Sequence, residues 1–183
     1  MHGILLLELK KYFDAALGAD LWLRLGSELA QEPPVYTPNQ QYPDQDAIAL
    51  IMAAGNHTGR SVATLLEGFG EFVAPELATM YADVVQPGWT TLDWIEHTVP
   101  LLHRVARDHG AAPPTLVWER TGRNTLTLRY RSHRRMCRMA RGIIHGLARR
   151  NHERIRVTES DCMLTGQPEC RFTLELLPPD PAG

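Results

Sequence analysis

Thr125-Leu126-Thr127-Leu128-Arg129-Tyr130-Arg131-Ser132-His133-Arg134 is the stretch on which the fold turns. Leu126, Leu128 and Tyr130 alternate with polar residues, a period of two that predicts a strand with one buried face. Leu116 and Trp118 lie on a candidate strand just upstream, and Thr121-Gly122-Arg123-Asn124 offers the turn of a hairpin between them. Downstream the period becomes helical. Over residues 135–150, Met136, Met139, Ile143, Ile144 and Leu147 face inward and the arginines outward. Residues 154–158 and 171–177 supply two more strands, through Ile155 and Val157, then Phe172, Leu174 and Leu176.

Upstream of Pro113-Pro114 the chain reads as helical. Leu5, Leu6, Leu9, Phe13, Ala16 and Leu17 recur at three and four residues, with Gly18 as the stop. A short helix from Asp20 presents Leu21, Trp22 and Leu25; further helices are expected around 47–54, 62–72 and 75–81. Gly55, Gly59 and Pro87-Gly88 punctuate them, and residues 31–44, with Pro33, Pro34, Pro38 and Pro43, form a connection. A long amphipathic helix over 91–109 carries the stripe Leu92, Ile95, Val99, Leu102 and Ala106, with His103 one turn after Val99. The order predicts an α+β fold: an N-terminal helical subdomain, residues 1–85, packed on a subdomain of helices and a roughly four-stranded antiparallel sheet, residues 86–177. Residues 178–183 are a tail.

At 183 residues the chain fits one domain, and 44% hydrophobic with 22% charged residues is ordinary globular composition, which argues against disorder. No apolar run approaches the ~18 residues of a membrane-spanning helix. The opening Met1-His2-Gly3-Ile4-Leu5-Leu6-Leu7-Glu8 is too short and lacks the basic flank of a signal peptide, so a cytoplasmic protein without membrane contact is expected. The net charge of −2 hides an asymmetry. Between residues 103 and 156 there are fourteen arginines against three acids, a balance of +11, while residues 1–102 stand at −9. Two halves that meet would account for this division, as would a basic surface meant for an anion.

Eight histidines are present, and His103 stands out by its place beside an apolar stripe. Tyr130, Ser132 and Arg134 alternate at a strand end, so a phenol, a hydroxyl and a guanidinium share one face, a compact donor set for carboxylates. That Tyr-x-Ser-x-Arg set resembles the heme-carboxylate motif of the heme nitric oxide/oxygen binding (H-NOX) family, which includes the sensor domain of soluble guanylate cyclase. The opening Met1-x-Gly3 is similar too, as are Asp20-Leu21-Trp22, Leu65-Leu66-x-x-Phe69-Gly70-x-Phe72, Asp93-Trp94-Ile95 followed by His103, and Pro113-Pro114. The likeness runs over residues 1–177.

The resemblance implies heme b held between the two subdomains, with His103 as the axial iron ligand and Tyr130, Ser132 and Arg134 on the propionates. It implies a heme pocket walled by Leu5, Leu9, Phe69, Val73, Leu102, Pro114 and Met139, with Pro114 pressing on the porphyrin. Oxygen-binding relatives place a tyrosine where this chain has Met139, and neither Leu9 nor Val73 donates a hydrogen bond, so nitric oxide and carbon monoxide are the expected ligands and oxygen is excluded. Nitric oxide would weaken the bond to His103, and the shift would pass to a partner, a histidine kinase or a cyclic-di-nucleotide enzyme.

Three cysteines cannot all pair within one molecule. Cys137 lies on the helix after the donor set, and the loop between Cys162 and Cys170 can bring their thiolates together, which suits zinc. Some bacterial relatives have a histidine three residues before the second cysteine; Glu159 stands there in this chain. Cys137, Cys162, Cys170 and Glu159 therefore form a candidate zinc set, with reduced thiols open to oxidation as the alternative. A rival reading is a module that binds small hydrophobic ligands without heme and keeps the zinc/cysteine site. Nucleic-acid binding through the arginine-rich helix finds no motif to support it, and no nucleophile elbow, P-loop or dinucleotide fingerprint marks an enzyme.

Overall fold

The structure, a computed structural model, describes residues 1–29, 35–108 and 110–179. Helices α1 (Gly3–Leu17) and α2 (Ala19–Leu29) are separated by Gly18, whose φ of 104° suits only glycine. Helix α3 (Asp44–Thr58) ends on the left-handed Gly59, and α4 (Val62–Met80) starts at Ser61, whose hydroxyl accepts the Thr64 N–H at 3.1 Å. Helix α5 (Thr91–Asp108) leads to strands β1 (Thr115–Gly122) and β2 (Thr125–Arg131), then to α6 (Cys137–Arg150), β3 (Arg154–Asp161) and β4 (Cys170–Leu177).

The sheet is antiparallel throughout, in the order β1-β2-β4-β3. Its two hairpins meet in the middle, where Leu126 pairs with Leu174, Leu128 with Phe172 and Tyr130 with Cys170. All six of these side chains are buried, which is the period of two read from the sequence. The expected α+β order of helices, hairpin, helix and hairpin is therefore the observed one.

Two hydrophobic cores fill the molecule, and α4 and α6 serve both. Phe69 and Val73 of α4 and Met139 of α6 join Leu6, Leu9 and Phe13 in the first. Ala74 and Ala78 of α4, with Ile144 and Leu147 of α6, join the sheet residues in the second. Glycines let these two helices touch backbone to backbone. A Cβ at Gly142 would lie 2.0 Å from the Glu67 carbonyl oxygen, and one at Gly70 would lie 2.2 Å from that of Met139. The charge division also closes across this joint, where Arg141 pairs with Glu67 at 3.1 Å and Arg149 with Glu71 at 2.8 Å, and again where Arg134, ahead of α6, pairs with Asp44 of α3 at 2.7 Å.

Three local expectations change. The helices expected at 62–72 and 75–81 are the single α4, with Pro75 inside it. Proline leaves the Glu71 carbonyl without its helical donor, and Gly146 of α6 packs against that oxygen, where a Cβ would come within 2.7 Å. Gly55 lies within α3 instead of ending it, in a close approach to the Arg60 carbonyl. The helix expected from residue 135 begins at Cys137, because Arg135 takes a left-handed φ of 51°. Pro33-Pro34, the expected helix end at His109 and the last residues of the tail lie outside the described residues.

Candidate functional site

Helix α5 is fastened firmly at its N-terminal end. The Thr90 N–H and hydroxyl both donate to Asp93 Oδ2, at 2.9 and 2.6 Å, and the Asp93 N–H donates back to the Thr90 hydroxyl at 3.3 Å, a capping box. Glu153 accepts the Thr91 N–H at 2.8 Å, and Arg120 from β1 pairs with both Asp93 and Glu96. Pro100 interrupts the helix interior. Beyond it comes His103, half-buried, on the wall of a cavity of about 560 Å³ whose other walls include Pro100, Arg107, Pro114, Leu116 and Trp118.

Burial pushes the His103 imidazole down to about 4, and the nearby Arg107 charge adds to this. At neutral pH the ring is therefore uncharged and keeps a nitrogen lone pair for a metal. Tyr130 and Ser132 are buried at the end of β2, and burial raises the phenol to about 12, so it stays a hydrogen-bond donor. Arg134 follows, its backbone N–H donating to the Ser132 hydroxyl at 3.2 Å.

Arg134 ties this donor set to the cavity. Its Nη1 donates to the Ala112 carbonyl at 2.8 Å, and Ala112 is itself part of the cavity wall. Its Nε faces Asp44 Oδ2 at 2.7 Å, an ion pair that the sequence reading missed. Asp44 begins α3 and also meets His133 at 2.9 Å and the Met1 amino group at 2.8 Å. Burial works to raise the Asp44 carboxyl, but contacts from Arg134, the amino terminus and His133 outweigh it and hold the group well below the usual carboxylate range. No short-range pattern announces a contact across ninety residues; only the excess of arginine downstream hinted that an acid must answer it.

The other expected pocket residues are divided between the two cores. Leu9, Phe69, Val73 and Met139 lie together in the first core with Leu5 against it, and Leu102 packs on the second. Only Pro114 of the expected pocket wall lines the cavity beside His103. Tyr12, which periodicity did not single out, stacks near Phe69 and Phe72 with its hydroxyl beside Gly68. Leu116, Trp118 and Arg107 are likewise additions to the site; the helical spacing of four from His103 was the available signal for Arg107.

The cysteines converge as expected. Cys162 Sγ lies 3.9 Å from Cys137 Sγ and 3.9 Å from Cys170 Sγ, and all three thiols are free and buried. With Glu159 they form a group whose ligand atoms lie within 4.8 Å of one another. Burial raises the Cys137 and Cys170 thiols, and the neighbouring sulfurs add to the rise at Cys137. One Glu159 oxygen is buried without a hydrogen-bond partner; the other faces Arg138 at 3.3 Å.

A neutral imidazole on a cavity walled by prolines, Leu116 and Trp118 beside Arg104 and Arg107, with Arg134 tied to its Ala112 wall, suits a flat apolar group that carries a metal and peripheral carboxylates. The volume lies in the ~300–1,000 Å³ range of ligand pockets. A heme-binding domain is the class that this arrangement suits. Residues 2–159 match the Haem-NO-binding family, and the chain belongs to it. No curated protein matches the sequence significantly.

Among solved structures, an H-NOX protein from S. oneidensis in the Fe(II)NO state is similar at 24% identity and TM-score 0.88, covering 97% of this chain and 100% of that one. A single-site mutant of T. tengcongensis H-NOX is similar at 19% identity and TM-score 0.85, covering 98% and 100%. An Fe(II) unliganded H-NOX protein from K. algicida matches at 21% identity and TM-score 0.83, covering 97% of each chain. These likenesses concern the fold. No helix among the described residues is long and apolar enough to cross a membrane.

Proposed function

We propose that this domain is a heme-based gas sensor that takes nitric oxide and carbon monoxide, but not oxygen, with His103 as the axial ligand of the iron. The observation that carries the reading is His103 itself: a neutral imidazole on the wall of a cavity whose Ala112 carbonyl accepts from Arg134 of the Tyr130–Ser132–Arg134 set. Heme b, when bound, supplies a ferrous centre with a free coordination position for a gas. His103 would hold the metal. Tyr130, Ser132 and Arg134 would donate to the carboxylates, with Asp44 holding the Arg134 guanidinium in place. Pro114, on the cavity wall, would lie against the group.

Gas choice rests with the apolar group Leu5, Leu9, Phe69, Val73 and Met139, none of which has a polar hydrogen to offer. Oxygen needs such a donor for stable binding; nitric oxide does not. Nitric oxide would loosen the hold of His103 on the metal and so free this residue. The segment of α5 beyond Pro100 is then the part able to move, because the capping box, Glu153 and Arg120 hold the other end. A ligand that favours one of two arrangements in this way is what a switch requires. The shift would be read by a cytoplasmic signalling partner in a bacterium, a histidine kinase or a cyclic-di-nucleotide enzyme, and the domain itself performs no catalysis.

Zinc held by Cys137, Cys162, Cys170 and Glu159 belongs to the same proposal. Three buried thiols in mutual contact and an unpartnered carboxylate oxygen are better satisfied by a divalent metal than by one another. The visible spectrum of the dithionite-reduced, heme-loaded protein tests the gas reading. It should change from a five-coordinate histidine-ligated form to a five-coordinate nitrosyl form on adding nitric oxide, and should stay unchanged on brief exposure to oxygen before any oxidation. A stable oxygen complex would contradict the reading.

A further inference from the structure

Arg107 lies four residues after His103, one turn along the same face of α5, and both residues line the same cavity. Arg104 lines it as well, and no Asp or Glu is among the lining residues. Several arginines of this basic stretch have acidic partners: Arg120 has Asp93 and Glu96, Arg134 has Asp44, Arg138 has Glu159, Arg141 has Glu67 and Arg149 has Glu71. Arg104 and Arg107 have none among the described residues. A guanidinium stays charged at any accessible pH. Counted over its lining residues, the wall that carries the imidazole is therefore net positive.

We propose that Arg107, reinforced by Arg104, is an electrostatic positioning residue that biases the metal on His103 toward its ferrous state. This rests on the reading of His103 as an iron ligand. Ferric iron takes one electron to become ferrous, so the oxidised state carries one more positive charge, and a fixed cation on the histidine side disfavours it. The sensing states for nitric oxide and carbon monoxide are ferrous, which makes this bias useful to the sensor. Arg107 is exposed to solvent, so screening reduces its effect. At an effective dielectric constant of roughly 40–80, one unit of charge about one helical turn away changes the ferric-to-ferrous ratio about twofold to sixfold.

The test is a redox titration of the heme-loaded full chain, with dithionite as reductant and small mediators, read by visible absorption. Arg107→Gln should raise the ferric-to-ferrous ratio at fixed potential about threefold, Arg107→Glu further, and the pair Arg104→Gln/Arg107→Gln further than Arg107→Gln alone. Arg107→Lys should keep the wild-type value. Arg123→Gln, an exposed arginine in the β1–β2 turn, should leave it unchanged, and added salt should shrink the Arg107 effect. Merely structural damage would not give opposite outcomes for Lys and Glu. If the ratio ignores the charge at position 107, or Arg123→Gln moves it equally, this inference alone is overturned. If the wild-type chain takes up no heme at all, the inference falls together with the reading it rests on.

Discussion

Replacing Gly142 by alanine sets two effects against each other. Alanine in a helix interior is favoured over glycine by roughly 0.5–1 kcal/mol, so local preference alone predicts stabilisation. Packing predicts the reverse. The new methyl carbon would stand 2.0 Å from the Glu67 carbonyl oxygen and 2.9 Å from its carbon, and backbone cannot swing aside as a side chain can. Helices α4 and α6 would have to part by about 1 Å, and overpacking of this kind costs about 1–3 kcal/mol. The packing term wins. Net destabilisation of about 1–2 kcal/mol should lower Tm by about 3–6 °C for a chain of this size. Gly122→Ala, whose nearest neighbour would be an ordinary 3.6 Å away, should change Tm little. Thermal and urea unfolding followed by circular dichroism measure both variants. A Gly142→Ala protein that melts higher than wild type would refute the backbone contact between these helices.

Three other outcomes follow from the same structure. The Asp44 carboxyl is held below its ordinary range in the folded state, so its contribution to stability is complete above the unfolded carboxylate range and is lost as pH falls below it. Asp44→Asn should therefore flatten the acid limb of a stability–pH profile while lowering stability at neutral pH; an unchanged acid limb would contradict the ion-pair hub. Protein purified reduced and without chelator should contain about one zinc per chain by elemental analysis, falling in Glu159→Gln and more steeply in Cys162→Ser; zinc-free wild type would remove that site. Met139→Tyr should leave carbon monoxide binding intact by visible absorption, since carbon monoxide does not depend on a distal donor, and its loss would mean that position 139 shapes the pocket in some other way.

The strands were legible because Leu126, Leu128 and Tyr130 alternate without interruption, and a sheet with one buried face writes that period into its sequence. The helix boundaries were less so. Pro75 reads as a break, yet the partner helix covers the carbonyl it leaves behind, and that partner lies some seventy residues away. The same distance hid the glycine contact between α4 and α6, since Gly70, Gly142 and Gly146 look like ordinary helix weaknesses until the two helices are set together. Spacing alone pointed to Cys162 and Cys170, which a short loop joins; that Cys137 meets them is a contact between α6 and that loop which no local pattern announces. Tyr130, Ser132 and Arg134 were visible as a set, but not the Asp44 that orients Arg134. Arg107 is within reach of the helical repeat, but it is one of fourteen arginines between residues 103 and 156.

The most direct test of the whole account is heme uptake by His103→Gly beside wild type, followed in the visible spectrum with and without free imidazole. Wild type should bind heme and show five-coordinate ferrous iron. The variant should bind it poorly in buffer and recover the wild-type spectrum when imidazole fills the space the side chain has left. Equal heme binding and an identical ferrous spectrum in the variant without imidazole would contradict the assignment of His103.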